Sequence, residues 1–487
     1  MNFNYNIIYI IIDKIFNLYI LNLIETTYLY LRILKNNIKI LMKKIIFLII
    51  LSLFVINYSN AQEKFTLNKA ILLALDNNKD LLTLRNNLTI QNLNLKLSKG
   101  SLIPSLSIST GWNKTNSVSQ GGVIYQNGFP INVPDQNTTR DNWSASINSQ
   151  VTLFNGFANY ENIELNNQNI NLLNLQYEKA KKDIIIDVTQ KYFDLLRKSY
   201  LVEIQNENLK NSQDQLAMIK EYVNVGKKTI AEIYKQDVLV AQNELSLESA
   251  TNDVQKAKID LLFAMYADTD TEIEVDMKEI PFYTVTELKE RLNNYGNVAG
   301  LTAQAINNRY DYKSGLQDIK VNEIKLSIAN KYLYWPSLSA FGNYNISGNK
   351  ANEIDNNRTF SFGLSLNYSI FQGFNLDVNR QIAEVNIMQK QQDLIRLELQ
   401  IKSDIKKAVY DLQTAYKQAE ILDRSIASAE QDVKLSEENY RIGYGTLLDL
   451  QTAITALNNL KINKINAIYS FLLAESLIKY LTGIINY

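Results

Sequence analysis

The sequence predicts a mainly α protein with a small β part: long coiled-coil helices arranged as a barrel, and four strands per chain that complete a membrane sheet only with further copies. Three observations predict it. The stretches 158–225 and 375–442 contain neither Pro nor Gly, which leaves helices of this length unbroken. Four shorter stretches alternate apolar and polar residues. Motifs from one half of the chain return in the other half 217 positions later, so the chain is an internal duplication.

Composition removes most chemistry. The 487 residues include 50 Lys+Arg, 50 Asp+Glu, no His and no Cys, so there is no imidazole base, thiol nucleophile, Ser-His-Asp triad or Cys/His zinc site. A carboxylate enzyme needs two acids in a concave apolar pocket, whereas the acids here are spread along helices at surface-like spacing. The expectation is no enzyme and no cofactor. A formal charge of zero offers phosphate backbones no general attraction, which argues against nucleic acid.

Residues 42–61 begin with Met42-Lys43-Lys44, continue as an apolar run from Ile45 to Ile56 and end on Ala61, the three-part pattern of an export signal. The run is too short for the roughly 20 residues that cross a bilayer. Residues 1–41 read as an extension upstream of the true start at Met42, with an extra anchor helix as the competing reading.

The first half opens with a strand at about 104–113, where Leu106, Ile108, Thr110 and Trp112 oppose Ser105, Ser107, Ser109 and Gly111. A second strand at about 142–154 places Trp143, Ala145, Ile147, Val151 and Leu153 on one face. Trp112 and Trp143 fall near the far strand ends, where interfacial aromatics would sit, with simple core tryptophans as the competing reading. The second half repeats this at about 336–347 and 359–371, with Phe360, Phe362, Leu364, Leu366, Tyr368 and Ile370 alternating in the last strand. Pro104 and Pro336 mark the strand entries; Phe154-Asn-Gly156-Phe157 and Phe371-Gln-Gly373-Phe374 mark the exits. The prolines are 232 apart and the exits 217, so the first half carries 15 additional residues, expected in a loop between Val118 and Asn142. Long helices follow, at about 158–225 and 229–267 in the first repeat (62–267), and at about 375–442 and 446–484 in the second (316–487). Residues 268–315 form a linker. Ile405, Ala408, Leu412, Ala415, Ala419, Leu422, Ile426, Ala429 and Val433 recur three and four apart as a coiled-coil seam.

Four strands cannot close on themselves, yet in lipid every backbone N–H and C=O needs a partner, so several copies must share one sheet. These motifs together resemble the outer-membrane efflux, or TolC, family over residues 65–484. The resemblance implies a homotrimer in outer-membrane lipid, its helices reaching into the periplasm. It further implies a passive duct for efflux or type I secretion, joined by a periplasmic adaptor (membrane fusion) protein to an inner-membrane pump. The competing reading is an exported coiled-coil envelope protein without a pore. Two features depart from the family pattern: Arg309-Tyr310-Asp311 stands where the family has Arg-Pro-Asp, and there is no Cys for the lipid anchor of many relatives.

The helical turns carry Gly226, Lys227, Lys228 and Thr229 in one half and Gly443, Tyr444, Gly445 and Thr446 in the other. Thr229 with Glu232, and Thr446 with Asp449, fit reciprocal capping boxes, with Gly226 and Gly443 as left-handed helix ends. In a closed ring of copies the acids also become charged rings at a narrow end. By resemblance, Asp449 matches an entrance aspartate, Tyr440 and Glu232 match a tyrosine–acid pair that holds neighbouring hairpins together, and the eight turn residues form the tip that an adaptor touches.

Overall fold

The structure, a computed structural model, describes residues 65–277 and 283–485; the expected export signal at 42–61 and the segment 1–41 lie outside the described residues. The chain enters through α1 (Leu67–Asn77) and α2 (Lys79–Gly100), then β1 (Ser105–Ser119), β2 (Gly122–Gln126), β3 (Phe129–Val133) and β4 (Gln136–Phe154). The helices α3 (Ala158–Asn224) and α4 (Ile230–Ala264) complete the first half. After α5 (Val285–Asn293) and α6 (Val298–Asn308), the second half runs α7 (Tyr310–Tyr334), β5 (Ser337–Gly348), β6 (Asn357–Asn367), α8 (Asn375–Ile442) and α9 (Leu447–Leu481). At 1.5 Å per residue the 67 residues of α3 span roughly 100 Å.

The helices pack in matching pairs, α3 on α4 and α8 on α9, with α2 beside α3 and α7 between α3 and α8. Their common core joins Tyr192, Leu195 and Leu196 of α3, Leu261 of α4, Ile401, Ile405, Ala408 and Leu412 of α8, and Phe471 and Ile478 of α9, all essentially inaccessible to solvent. The seam read along α8 is buried from Ile405 to Ala419, whereas Leu422, Ile426, Ala429 and Val433 are half-buried. Far from that core, Ile219, Tyr440, Leu447 and Leu450 make a separate small cluster where the two hairpins turn.

The sheet order is β1-β4-β5-β6, each neighbour antiparallel, with β1 and β6 as open edges among the described residues. Three expectations are corrected here. The stretch 118–142 is not a loop. β1 and β4 pair out to Ser119 and Gln136, and the apex between them is a separate ribbon, β2 on β3, turned by Asn127 (φ 53°) and Gly128 (φ 83°). Asn-Gly between Val-Ile-Tyr and Phe-Pro-Ile is the sequence of a two-residue hairpin turn; its Gly and Asn read as loop signals only if the flanking β-formers are ignored. Trp112 and Trp143 are therefore not at the strand ends: they are cross-strand partners, rings 5.9 Å apart, level with Gly348 where β5 stops. Finally, β6 ends at Asn367 rather than about 371, because β5 begins at Ser337, opposite Asn367, and offers residues 368–371 no partner.

Strand passes to helix through the same device in both halves. Gly156 (φ 67°) and Phe157 (φ 65°), like Gly373 (φ 60°) and Phe374 (φ 66°), are two consecutive left-handed residues, a conformation that favours glycine at the first. Phe154 on Phe157 and Phe371 on Phe374 meet edge-to-face with the same 5.3 Å separation and 88° angle. The exits differ in surroundings: a Cβ on Gly156 would lie 2.6 Å from the Cβ of Trp335, while one on Gly373 would meet nothing within 4 Å among the described residues. Pro104 and Pro336 each stand immediately before the first residue of a strand.

The boundary drawn between 315 and 316 falls inside α7, which starts at Tyr310. Arg309, as its N-cap residue, bonds Asp311 with Nε at 2.9 Å and Nη2 at 2.6 Å, and Asp311 also accepts the Tyr312 N–H at 2.9 Å. Burial pushes the Asp311 carboxyl up, but the Arg309 bonds outweigh it and hold it below the usual range. The turn is thus fixed by a half-buried ion pair without the proline of the family pattern.

Candidate functional site

Two features stand out, one in the sheet and one at the helical turns. Across the sheet, register alignment sorts side chains by face. Ile108 pairs with Ile147, Ile147 with Tyr344 and Tyr344 with Phe360, a continuous apolar row across all four strands. One residue along, Ser107, Asn148, Asn343 and Ser361 form an equally continuous polar row on the opposite face. Asn343 Nδ2 donates to Asn148 Oδ1, and the Ser109 and Ser146 hydroxyls bond at 2.7 Å. The apolar face is bare: Leu106, Ile108, Phe360, Phe362, Leu364 and Leu366 are all exposed. A contiguous apolar surface of this kind marks a contact with lipid or protein, and apolar-out, polar-in alternation is the pattern of a membrane barrel.

At the turns, both halves end their long helix in one geometry. Gly226 (φ 75°) and Gly443 (φ 83°) are left-handed; Gly226 N–H donates to Val223 O at 3.0 Å and Lys227 N–H to Tyr222 O at 2.8 Å, and Gly443 and Tyr444 do the same to Tyr440 and Asn439 at 3.2 and 2.8 Å. Two of the four carbonyls left open by each helix end are satisfied this way. Lys227 and Tyr444 are exposed at the outermost positions, Tyr444 at 91 %.

The capping boxes divide. Thr446 accepts the Asp449 N–H at 3.2 Å, and Asp449 Oδ2 accepts the Thr446 N–H at 3.0 Å and hydroxyl at 2.6 Å, so the second box is complete. The first is absent: Thr229 is the N-cap residue of α4 but its side chain makes no capping bond. Glu232 is engaged elsewhere. Its Oε2 accepts the Tyr440 hydroxyl at 2.6 Å, tying the first turn of α4 to the last turn of α8. Tyr440 is 1 % exposed, and burial first, then the Glu232 carboxylate, pushes its pKa up, so it stays a hydrogen-bond donor. The duplication does not repeat this link, since Val223 stands 217 positions before Tyr440. The sequence placed Lys228 at the adaptor-facing tip; its Nζ lies 3.8 Å from the centre of the Tyr440 ring.

The boxes predict different costs. The Thr446 hydroxyl and N–H hold the Asp449 carboxyl below its usual range. The resulting stabilisation is present above the unfolded carboxyl value of about 4 and is lost as pH falls through the folded value. Thr446→Ala is expected to speed amide exchange in residues 447–450 at pH 7, with the difference from wild type shrinking in acid to the part due to the Thr446 hydroxyl alone, whereas Thr229→Ala leaves 230–233 unchanged. Equal effects in the two turns would refute the assignment.

Sequence reasoning missed a third cluster. Glu475 of α9, buried in the helical core, accepts from Arg291 of α5 and from the Tyr295 hydroxyl at 3.2 Å. Its signal was present: one acid within Phe471-Leu-Leu-Ala-Glu475-Ser-Leu-Ile478.

The sequence profile of the outer membrane efflux protein family matches residues 70–265 and 301–483, one segment in each half. The outer membrane protein TolC of Vibrio cholerae is 21% identical over 388 residues, covering 77% of this chain and 81% of that one. Among solved structures, the outer membrane protein VceC of Vibrio cholerae superposes with a TM-score of 0.70 at 16% identity, covering 86% of this chain and 96% of its own. The CmeC outer membrane channel of Campylobacter jejuni superposes with a TM-score of 0.68 at 16% identity, covering 88% and 87%.

Proposed function

The chain belongs to the outer membrane efflux protein family and is an outer-membrane efflux channel, and from that premise we propose that it works as a homotrimeric passive duct whose periplasmic end is closed by the helical tips. The observation that carries the proposal is the two-faced sheet with two open edges. A four-stranded sheet leaves unpaired N–H and C=O groups along β1 and β6, each costing several kcal/mol in hydrocarbon. Two copies would give an eight-stranded barrel, about the size whose interior is filled by its own side chains; three give twelve strands and a lumen that the Ser and Asn row lines with polar groups. The helices support the same assembly. Leu399, Tyr410 and Ile421 lie 11 residues apart on α8 and are exposed in a single chain, as are Ile230, Tyr234 and Val238 on α4, so each copy offers apolar stripes for its neighbours.

The duct carries out no covalent chemistry and is not an enzyme. Its partners are an adaptor protein, met at Gly226, Lys227, Thr229 and Gly443 to Thr446, and an inner-membrane pump that supplies the energy. Tyr440 with Glu232 forms the gate contact, and Asp449 contributes a ring of acids at the entrance. An exported coiled-coil protein without a pore would have no use for a polar row backed by bare aromatics.

The purified chain, reconstituted in a planar bilayer, is expected to give discrete conductance steps and to migrate as a heat-dissociable trimer. A water-soluble monomer that forms no channels would overturn the proposal.

A further inference from the structure

We propose that Lys228 is a third member of the closing contact, holding the Tyr440 ring in the orientation from which its hydroxyl reaches Glu232. This rests on the gate reading above. Lys228 lies in the turn from α3 to α4, two residues beyond the left-handed Gly226. The two backbone bonds from Gly226 and Lys227 fix that turn, so the origin of the Lys228 side chain is set by the helix end. From there the ammonium reaches the face of the Tyr440 ring, with Nζ 3.8 Å from its centre. A cation over a tyrosine face is attracted by the negative π surface.

The two contacts on Tyr440 do different things. A single bond from the hydroxyl to Glu232 Oε2 at 2.6 Å fixes one atom of a ring that also packs against Ile219, Leu447 and Leu450. The ammonium fixes the plane. Together they attach the last turn of α8 to two separate points of the opposing hairpin, so drawing the hairpins apart must break both. The device is one-sided, because the position 217 residues after Lys228 is Gly445, which has no side chain to reach back. Lys228 is half-buried with its ammonium on the Tyr440 ring, unlike the exposed Lys227 beside it.

The test uses the full chain in planar bilayers. Lys228→Met keeps the length and removes the charge; it is expected to raise the open-to-closed ratio about fivefold, the effect of a partly buried cation–ring contact. Lys228→Arg keeps a cation and should gate as wild type. In a Tyr440→Leu background, which has no ring, Lys228→Met should add nothing. Wild-type gating by Lys228→Met, or an equal effect with and without the ring, would overturn the proposal, the latter by revealing a plain charge effect at the entrance. If Lys228→Met is silent while the combined Tyr440→Phe and Glu232→Gln variant opens, the lysine's role falls and the gate stands. If both are silent, the gate reading falls as well.

Discussion

Replacing Tyr440 with Phe and Glu232 with Gln together is expected to raise the channel's open-to-closed ratio by a factor of ten to a hundred per subunit and to increase its mean conductance in planar bilayers. The lost interaction is a hydrogen bond at 2.6 Å from a buried phenol to a carboxylate. Such charge-assisted bonds contribute about 1.5–3 kcal/mol each, and a three-copy assembly holds three. A shift from 1:99 to 99:1 takes about 5.5 kcal/mol in total, within the range of about 4.5–9 kcal/mol that three such bonds supply, so their loss is of the size needed to open the tip. The pair is chosen to leave packing alone. Phe retains the ring that meets Ile219, Leu447 and Leu450, and Gln retains the size of Glu232. Opening in this picture is a change between two packed arrangements of the hairpins. Unchanged gating and conductance in the double variant would remove the gate assignment while leaving the channel itself in place.

That contact shows where sequence reading succeeded and where it ran out. The mainly α fold with its small sheet was legible because its signals are local and repeated: period-two alternation in Ser105–Trp112, long stretches without breakers, and Phe-x-Gly-Phe twice at one offset. The register was not. Nothing within Asn113–Gln136 alone says that β1 and β4 run on past the end of β5, because that overhang belongs to the pairing of three strands. The two capping boxes make the same point at the level of side chains. Thr229 with Glu232 and Thr446 with Asp449 are nearly identical as sequence, and both are competent to cap. Only Glu232 has a competitor, a phenol from 208 positions away, and the stronger bond takes the carboxylate. Capping motifs report what a segment can do alone; tertiary partners decide whether it does.

The largest stability effect is expected at Glu475. Its side chain is 7% exposed and receives Arg291 Nε at 3.3 Å, a second bond from Arg291 Nη2, and the Tyr295 hydroxyl at 3.2 Å, with Lys479 Nζ 3.6 Å away. These groups join α9, inside the helical core, to α5 and the residues just after it, a part of the chain that lies outside both repeats. Arg291 also stacks on Tyr283, 4.5 Å from its ring centre. Burial, then the Glu475 carboxylate, pushes the Tyr295 pKa up, so this phenol also remains a donor. Glu475→Ala leaves a half-buried cation and a buried hydroxyl without their acceptor. Removing one partner of a buried pair costs about 3–5 kcal/mol, whereas exchanging both for apolar groups of similar size is often neutral. Glu475→Ala is therefore expected to lower the denaturation midpoint and to open residues 285–308 to limited proteolysis. Arg291→Met combined with Glu475→Leu should recover most of the loss. The tip is far along the helices from this cluster, so gating in bilayers should follow wild type in both variants. A loss of under about 1 kcal/mol from Glu475→Ala, the size of an exposed pair, would mean that α5 is held by its apolar contacts through Leu288 and that the ionic cluster is incidental.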